Sequence, residues 1–374
     1  MLQCFYGDKI MNKYKVVVYA IAKNEAKFAE AWAKNMSEAD EIYVLLDPTS
    51  TDNTKEILEA NGVKVKEKLI KPWRFDRARN ESLKLVPKDA DICVCTDLDE
   101  LFDPGWRQIL EEKWTPETNQ GVYKFWNNAK FPDQIPNYFD NAKIHDRKSF
   151  VWKWIIHEFI VPKNPEQQIN KVKLDGILLK HYPDSTKPRS YKKLLEKAVK
   201  KEKKDTRYLS LLAEEYIVAH EYDNVDKTCF QLLKVKNANV ADTCLAYKCL
   251  IQSAIAQKNY KQAKKWCYEG LKKCDSCRIF YGELGQLLIT QFNDSELGIA
   301  LIKKCMSIEN DVIAAREHEW KNPAYNNNLI SIGYYNLKDY ANALMYVDIA
   351  IQQDPQIESY KQNRELYINV YNGD

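Results

Sequence analysis

An apolar segment that ends in three acidic residues constrains this chain more than any other feature of its sequence. Within the stretch Ala90–Glu100, the apolar segment is followed by Asp97, Asp99 and Glu100. A short apolar run between polar residues is typical of a buried strand in a parallel sheet. Ligands of open α/β sheets bind outside the carboxyl ends of the strands, so these acids predict a functional site.

The triplet Asp97-Leu98-Asp99 is a candidate metal site. In extended backbone, residues two apart point to the same side, so we expect both carboxylates to face one divalent cation. Mg²⁺ is commonly held by one or two carboxylates together with substrate phosphates, which makes a nucleotide diphosphate the expected third component. A solvated acidic turn is the alternative interpretation, because a D-x-D triplet alone is a weak signal.

Strand-like and helix-like segments alternate along the chain before this site. The strand-like segments are Val16–Ala22, Glu41–Leu46, Val63–Lys66 and the run before Asp97, and a helix-like segment follows each of the first three. This β-α-β-α-β-α-β order predicts a mostly parallel sheet with helices on both faces. Asn53 and Glu56 predict a capping pair at the start of the second helix, and Gly62 predicts its end.

Four short motifs accompany these segments. They are Asn24-Glu25, Asp47-x-x-Ser50-Thr51-Asp52-x-Thr54, Ala78-Arg79-Asn80 and Asp97-Leu98-Asp99-Glu100. Their order and spacing resemble those of the family 2 glycosyltransferases with the GT-A fold. The resemblance is strongest to the branch in which tetratricopeptide-like helices follow the transferase domain. It implies an α/β GT-A domain over residues 1–185 and an all-α helical domain over residues 186–374.

The resemblance also implies a donor site. Asn24, Glu25 and Asp47 would hold the base and ribose of a nucleotide-sugar donor, which we expect to be a UDP-sugar. Arg79 would lie near the nucleotide or its phosphates. Pro48 departs from the small residue usual at that position and stiffens the loop.

Metal and catalytic residues follow from the same resemblance. Asp97 and Asp99 would bind Mn²⁺ or Mg²⁺ on the diphosphate, with Asp99 the direct ligand. An inverting transfer needs a general base, and a carboxylate is the usual choice. Glu158 is the first candidate because it belongs to a His-Glu pair like that of the related branch, and Glu100 is the second. His181 is either a further metal or diphosphate ligand or a structural hydrogen-bonding residue.

Aromatic, strand-like segments follow at residues 122–126, 150–156 and 172–179. In a two-part transferase this region would bind the acceptor. Trp126, Trp152 and Trp154 are candidate stacking surfaces for a sugar or a peptide. Core packing is the alternative for each of them.

Composition narrows the class of protein. The formal net charge of +3 is too near neutral to indicate nucleic-acid binding. The apolar run Val16–Ala22 is far shorter than the roughly 20 residues that span a bilayer, and without a signal peptide we expect a cytoplasmic protein. The ten cysteines then predict reduced, buried thiols. Cys274-x-x-Cys277 has no second cysteine pair at zinc spacing.

Similar segments recur in the second half of the chain at spacings of about 35 to 45 residues. They begin at Glu221, Asn259, Ser295 and Asp339, and each opens an amphipathic stretch. Degenerate tetratricopeptide-like helix pairs are expected, whose stacked surface suits a peptide or a second subunit.

Two kinds of function are therefore open. The first is a metal-dependent inverting glycosyltransferase acting on a protein, peptide or glycan, in which the helices recognise the acceptor or form a homodimer. The second is a helical-repeat adaptor whose front domain is not catalytic. Transfer to modified DNA bases is a third interpretation, which the near-neutral charge disfavours.

Overall fold

The computed structural model describes residues 13–130, 136–184, 191–313 and 319–373. The chain divides into two compact units, Met1–Arg189 and Ser190–Asp374. The first contains sheets and helices, and helices are the only regular elements in the described residues of the second. The predicted domain boundary between residues 185 and 186 lies outside the described residues.

Strands and helices of the first unit follow one another as the alternating pattern predicts, up to the fourth strand. The strands are β1 (Val16–Ala22), β2 (Glu41–Leu46), β3 (Lys64–Glu67), β4 (Ile92–Cys95), β5 (Glu100–Phe102), β6 (Gln120–Trp126), β7 (Tyr138–Asp146), β8 (Phe150–Lys153), β9 (Phe159–Pro162) and β10 (Lys171–His181). The helices are α1 (Ala26–Met36), α2 (Thr54–Ala60), α3 (Phe75–Leu83) and α4 (Trp106–Lys113).

The main sheet is mixed rather than mostly parallel. Its strand order is β3-β2-β1-β4-β7-β6-β10-β5. The first four strands of this order are parallel, as predicted. β7 lies antiparallel between β4 and β6, and β5 pairs antiparallel with β10. β8 and β9 form a separate two-stranded sheet.

The centre of the main sheet is buried on both faces. Val16 and Val18 of β1 lie in one hydrophobic core together with Trp32 of α1. Val17 and Tyr19 lie in a second core, to which α3 contributes. Successive side chains of a strand point to opposite faces, so one continuous apolar run supplies both cores.

Helices of the second unit follow in a regular series. They are α5 (Lys192–Lys201), α6 (Thr206–Val218), α7 (Tyr222–Leu233), α8 (Val240–Ala256), α9 (Tyr260–Lys273), α10 (Arg278–Gln291), α11 (Ser295–Met306), α12 (Pro323–Asn336), α13 (Tyr340–Gln353) and α14 (Glu358–Asn372), with a short 3-10 helix at Glu319–Lys321. Within the described residues, no helix has the length and apolar composition required to cross a membrane.

Four consecutive helix pairs, α6–α7, α8–α9, α10–α11 and α12–α13, have the same turn between their two helices. His220, Lys258, Asn293 and Lys338 have φ angles of 56°, 57°, 51° and 61°, and each lies between the first and second helix of a pair. A left-handed residue after a helix ends that helix and lets the chain reverse. The predicted tetratricopeptide-like helix repeats are therefore confirmed.

Two of the second helices, α9 and α13, bury a stripe of mostly small residues. In α9 the stripe is Ala263, Cys267 and Gly270, and in α13 it is Ala343, Val347 and Ala350. Small side chains at helical spacing let neighbouring helices pack closely.

The nine cysteines among the described residues are buried free thiols, as expected.

Candidate functional site

The carboxyl ends of β1, β2 and β4 lie at one edge of the main sheet. β1 pairs in parallel with β2 on one side and with β4 on the other. The chain first continues from β1 to β2 and β3 on one side, and it then crosses to β4 on the other side of β1. This reversal creates a topological switch point, which is where open sheets bind ligands. The loops that follow these strands carry Asn24, Asp47 and Asp97.

The loop after β1 and the loop after β2 are hydrogen-bonded to each other at this edge. The Asn24 Oδ1 atom accepts a hydrogen bond of 2.7 Å from the backbone N–H of Thr51. The backbone N–H of Glu25 donates to Thr54 Oγ1 at 2.8 Å. The predicted donor-binding residues Asn24 and Glu25 thus lie at the switch point, in a loop whose shape the neighbouring loop fixes.

The predicted capping pair at the start of α2 is wrong. Asn53 is the N-cap but its side chain makes no capping hydrogen bond. Asp52 performs this role instead: its Oδ1 accepts from the backbone N–H of Thr54 at 3.2 Å. Its Oδ2 accepts from the backbone N–H of Ala26, at the start of α1, at 3.0 Å. One carboxylate therefore serves the N-termini of two helices.

Asp47 is a buried carboxylate at the end of β2. Its Oδ1 accepts hydrogen bonds from the backbone N–H and the hydroxyl of Thr49, at 2.8 and 2.7 Å. Lys23 Nζ lies 3.6 Å from its Oδ2. Burial acts to raise the pKa of Asp47, but these hydrogen bonds and the Lys23 charge outweigh it and lower that pKa. Asp47 therefore stays ionised and rigidly oriented.

Arg79 of α3 connects two of the predicted site acids. Its side chain is 4% exposed. Nη2 donates to Asp97 Oδ1 at 2.5 Å, and Nε donates to Glu158 Oε1 at 2.9 Å. The guanidinium also lies over the Trp152 ring, 5.5 Å from its centroid. Burial acts to lower the pKa of Arg79, but the Asp97 charge outweighs it, so the guanidinium stays charged.

Lys143 of β7 is a site residue that the sequence analysis missed. Its Nζ lies 3.5 Å from Asp97 Oδ2 and 3.1 Å from Glu100 Oε1. Glu100 also accepts a hydrogen bond of 2.9 Å from the backbone N–H of Asp97. The segment Tyr138–Asp146 is too polar to signal a strand, and so its lysine could not be assigned to the site.

These contacts form one set of alternating charges, here called the charged cluster: Glu158, Arg79, Asp97, Lys143 and Glu100. Burial acts to raise the pKa of Asp97, but the Arg79 and Lys143 charges outweigh it and hold that pKa below its ordinary value. Burial raises the pKa of Glu100, which is 3% exposed, and Lys143 only partly opposes that rise.

Asp99 and His181 meet beside the charged cluster. Asp99 Oδ2 lies 3.3 Å from His181 Nε2, and each side chain is 14% exposed. The other ring nitrogen, Nδ1, lies 3.1 Å from the backbone oxygen of Asn127. Burial acts to lower the pKa of His181, but the hydrogen bond that His181 donates to Asp99 outweighs it and raises that pKa. A carboxylate and an imidazole are thus held in contact.

The expected extended geometry of the Asp97-Leu98-Asp99 triplet is wrong. β4 ends at Cys95, residues 98 and 99 form a turn, and the backbone N–H of Glu100 donates to the Asp97 oxygen at 3.1 Å. The carboxylates of Asp97 and Asp99 consequently have different partners. No set of three or more His, Cys, Asp or Glu residues in the described part of the chain is arranged to hold a metal ion.

The three candidate stacking tryptophans differ in their surroundings. Trp152 is buried, and its indole N–H donates to the Tyr19 hydroxyl at 2.9 Å, which supports core packing. Trp126 donates to Asn128 Oδ1 at 2.9 Å. Trp154 has a φ of 75°, and β8 therefore ends at Lys153 rather than continuing to residue 156 as predicted.

Comparisons with known proteins do not identify a family for this chain. No family model matches the chain, and no curated protein matches it. Solved structures similar to it include YrrB, described as a TPR protein with an unusual peptide-binding site (15% identity, 48% of this chain, 83% of that chain, TM-score 0.39). MamA from Desulfovibrio magneticus RS-1 (12%, 45%, 86%, 0.37) and the APC/C hetero-tetramer Cut9-Hcn1 (12%, 48%, 33%, 0.40) are also similar.

These findings correct the family predicted from the four motifs. No family model supports membership of the family 2 glycosyltransferases, and the similar structures named above include TPR proteins and no glycosyltransferase. All of the TM-scores named are below 0.5, so the helical-repeat assignment of the second unit stands on its own turns and buried stripes. Any function of the first unit has to be argued from its own side chains.

Proposed function

We propose that the first unit is a metal-dependent inverting glycosyltransferase that uses a nucleotide-diphosphate sugar, with UDP the expected nucleotide. One observation carries the proposal: the charged cluster and the Asp99–His181 contact adjoin the switch point at the carboxyl end of β4. The cations of the charged cluster, Arg79 and Lys143, suit a diphosphate, and the carboxylate of Asp99 suits a divalent metal. A GT-A arrangement is the finer fold that goes with this proposal.

The side chains around Asp99 fit a divalent cation. An oxygen ligand from Asp99 and a nitrogen ligand from His181, 3.3 Å apart, would leave the remaining positions for diphosphate oxygens and water. Mixed oxygen and nitrogen ligands suit Mn²⁺ better than Mg²⁺. Asp97 is paired with Arg79 and Lys143, and it would support the site as a second carboxylate. Such a cation would neutralise the charge that develops on the departing diphosphate.

Glu158 is the better candidate for the general base. Its side chain is 11% exposed, whereas that of Glu100 is 4% exposed and paired with Lys143. Arg79 holds Glu158 through one carboxylate oxygen, Oε1. In the proposed reaction an acceptor hydroxyl or thiol loses its proton to Glu158 while its oxygen or sulfur bonds to the anomeric carbon. The bond from that carbon to the diphosphate oxygen breaks, and the configuration inverts.

The donor nucleotide would be bound by the loops after β1 and β2. Asp47 is ionised and oriented by Thr49, which suits hydrogen bonds from ribose hydroxyls or a base N–H. Asn24 and Glu25 lie in the loop after β1, which is hydrogen-bonded to the loop that carries Asp47. The repeats of the second unit would bind the protein, peptide or glycan acceptor, or hold two copies of the chain together.

A helical-repeat adaptor with a non-catalytic first unit is the second candidate. The observation that favours it is the pairing of acids within the charged cluster, since such pairing also occurs in purely structural ion networks. Transfer to modified DNA bases remains disfavoured by the net charge of +3.

The deciding experiment measures release of the free nucleotide, namely UDP, GDP or CMP, by the full chain from a panel of UDP-, GDP- and CMP-sugars with Mn²⁺. We expect slow UDP release, abolished by EDTA and by Asp99→Asn. Asp89→Asn, which changes an exposed acid that pairs with Lys15, is the matched control and should retain activity. If no donor is bound or cleaved, the transferase proposal fails and the adaptor is favoured.

A further inference from the structure

A groove of about 630 Å³ lies on the surface of the second unit. One side of α9 and the residue after α10 line it, with the side chains Lys261, Lys264, Lys265, Tyr268, Glu269, Lys272 and Phe292. The α9 residues recur at helical spacings of three and four, so they form a single stripe. Its floor combines two aromatic rings with the aliphatic stems of lysines.

The basic charge of this stripe is specific to one repeat. α9 contains five lysines and one glutamate. The equivalent second helices α7, α11 and α13 contain one, two and no lysines. The helix-pair fold therefore does not require lysines at this position, and the buried stripe of α9 packs without them.

Charge in the groove is largely uncompensated by the protein. Among the residues that the structure describes, Lys261, Lys264 and Lys265 have no carboxylate partner within salt-bridge distance. The Lys264 amine lies over the Phe292 ring, 4.5 Å from its centroid. Lys272 pairs with the neighbouring Glu269 at 2.8 Å. Three ammonium groups of the groove thus have no carboxylate partner among the described residues, and they lie beside an apolar floor.

We propose that this groove binds an acidic peptide segment of a partner protein, with an apolar side chain seated on Tyr268 and Phe292. From Lys261 to Lys272 the stripe is about 17 Å long at 1.5 Å per residue, which matches roughly five residues of extended peptide. Nucleic acid fits less well, because α9 has no arginine and the whole chain has a net charge of only +3. The proposal is independent of the function of the first unit.

Fluorescence anisotropy with the full chain tests it. The probe is a labelled acidic hexapeptide with one central leucine, and the control probe replaces each acid by its amide. We expect saturable binding of the acidic probe that weakens with salt. The triple variant Lys261→Glu, Lys264→Glu, Lys265→Glu should weaken binding by about tenfold or more, since three attractive charges become repulsive.

A matched variant applies the same charge change to another helix. Lys193, Lys197 and Lys200 of α5 are exposed, and their replacement by glutamate should leave binding within about twofold, because contacts outside the groove contribute little. Circular dichroism establishes that both variants are folded. If the α9 variant is not, Lys261→Gln, Lys264→Gln, Lys265→Gln replaces it and should show a smaller loss.

Several outcomes overturn the proposal. They are the absence of saturable binding to the unmodified chain, equal binding of the amide probe, and equal loss in the α5 variant. Tighter binding of a single-stranded oligonucleotide or of phosphatidylserine vesicles, lost in the α9 variant, would assign the groove to a different ligand. No donor nucleotide enters the assay, so its failure leaves the transferase proposal unaffected.

Discussion

Arg79 Nε donates a hydrogen bond of 2.9 Å to Glu158 Oε1 and thereby joins α3 to the loop before β9. The guanidinium is buried, and it has a second carboxylate partner in Asp97. A buried cation with two anionic partners couples the fold of this region to the geometry of its candidate site.

The first prediction removes this cation. Arg79→Met leaves Glu158 without its cation and Asp97 with Lys143 alone, so it should lower the free energy of unfolding by about 3 to 5 kcal/mol. Arg77→Met on the same helix changes an exposed arginine and should cost no more than about 0.5 kcal/mol. Urea denaturation followed by circular dichroism measures both. Equal stability of the two variants would show that the buried ion pairs contribute nothing.

The second prediction separates donor binding from transfer. Glu158→Gln removes the proton acceptor with little change of shape, so transfer should slow by about a hundred- to ten-thousand-fold while UDP binding persists. Calorimetric binding and product formation provide the two readouts. Glu100→Gln is the comparison: if it slows transfer and Glu158→Gln does not, the assignment of the base is reversed.

The third prediction concerns His181 and pH. Because Asp99 raises the pKa of this histidine against the effect of burial, protonated His181 stabilises the fold below its unfolded pKa. This contribution disappears as the pH rises through the folded value. His181→Gln should therefore lower Tm more at about pH 5.5 than at about pH 8.5. A pH-independent effect of His181→Gln would contradict the assignment.

His145 should have the opposite pH dependence. Burial lowers its pKa to about 4, and its Nε2 lies 2.8 Å from the Tyr19 hydroxyl. The unfolded chain binds a proton below about pH 6.5 and the folded chain does not, so stability falls as pH drops from about 6.5 to 4. The loss amounts to about 3 kcal/mol. Denaturation of His145→Gln at several pH values should show a shallower acid slope, and an unchanged slope would contradict the prediction.

Sequence patterns predicted the parts of the fold that rest on continuous apolar runs. β1 and β2 begin and end where their apolar runs do, since both are buried in the parallel region of the sheet. The helix pairs of the repeats likewise followed from recurring local patterns, whereas the left-handed turns within them were not predicted. β7 was not predicted, because its burial depends on insertion between β4 and β6 rather than on its own composition.

The candidate site was predicted by residue type more than by geometry. Arg79, Asp97 and Glu158 were each singled out, but their mutual contacts join segments far apart in sequence. Lys143 was missed together with its strand. The Asp97–Asp99 geometry was wrong because the chain turns at residues 98 and 99, and no local pattern distinguishes that turn from a longer strand.

The order of charges in the charged cluster has a consequence for the protein before any ligand arrives. Three carboxylates and two cations alternate, and each cation contacts an anion on both sides. Arg79 and Lys143 therefore have counterions while they are buried. The carboxylate oxygens occupy the positions around these cations that the oxygens of a bound anion would take. An anion that displaces them needs no new cation, only an exchange of partners.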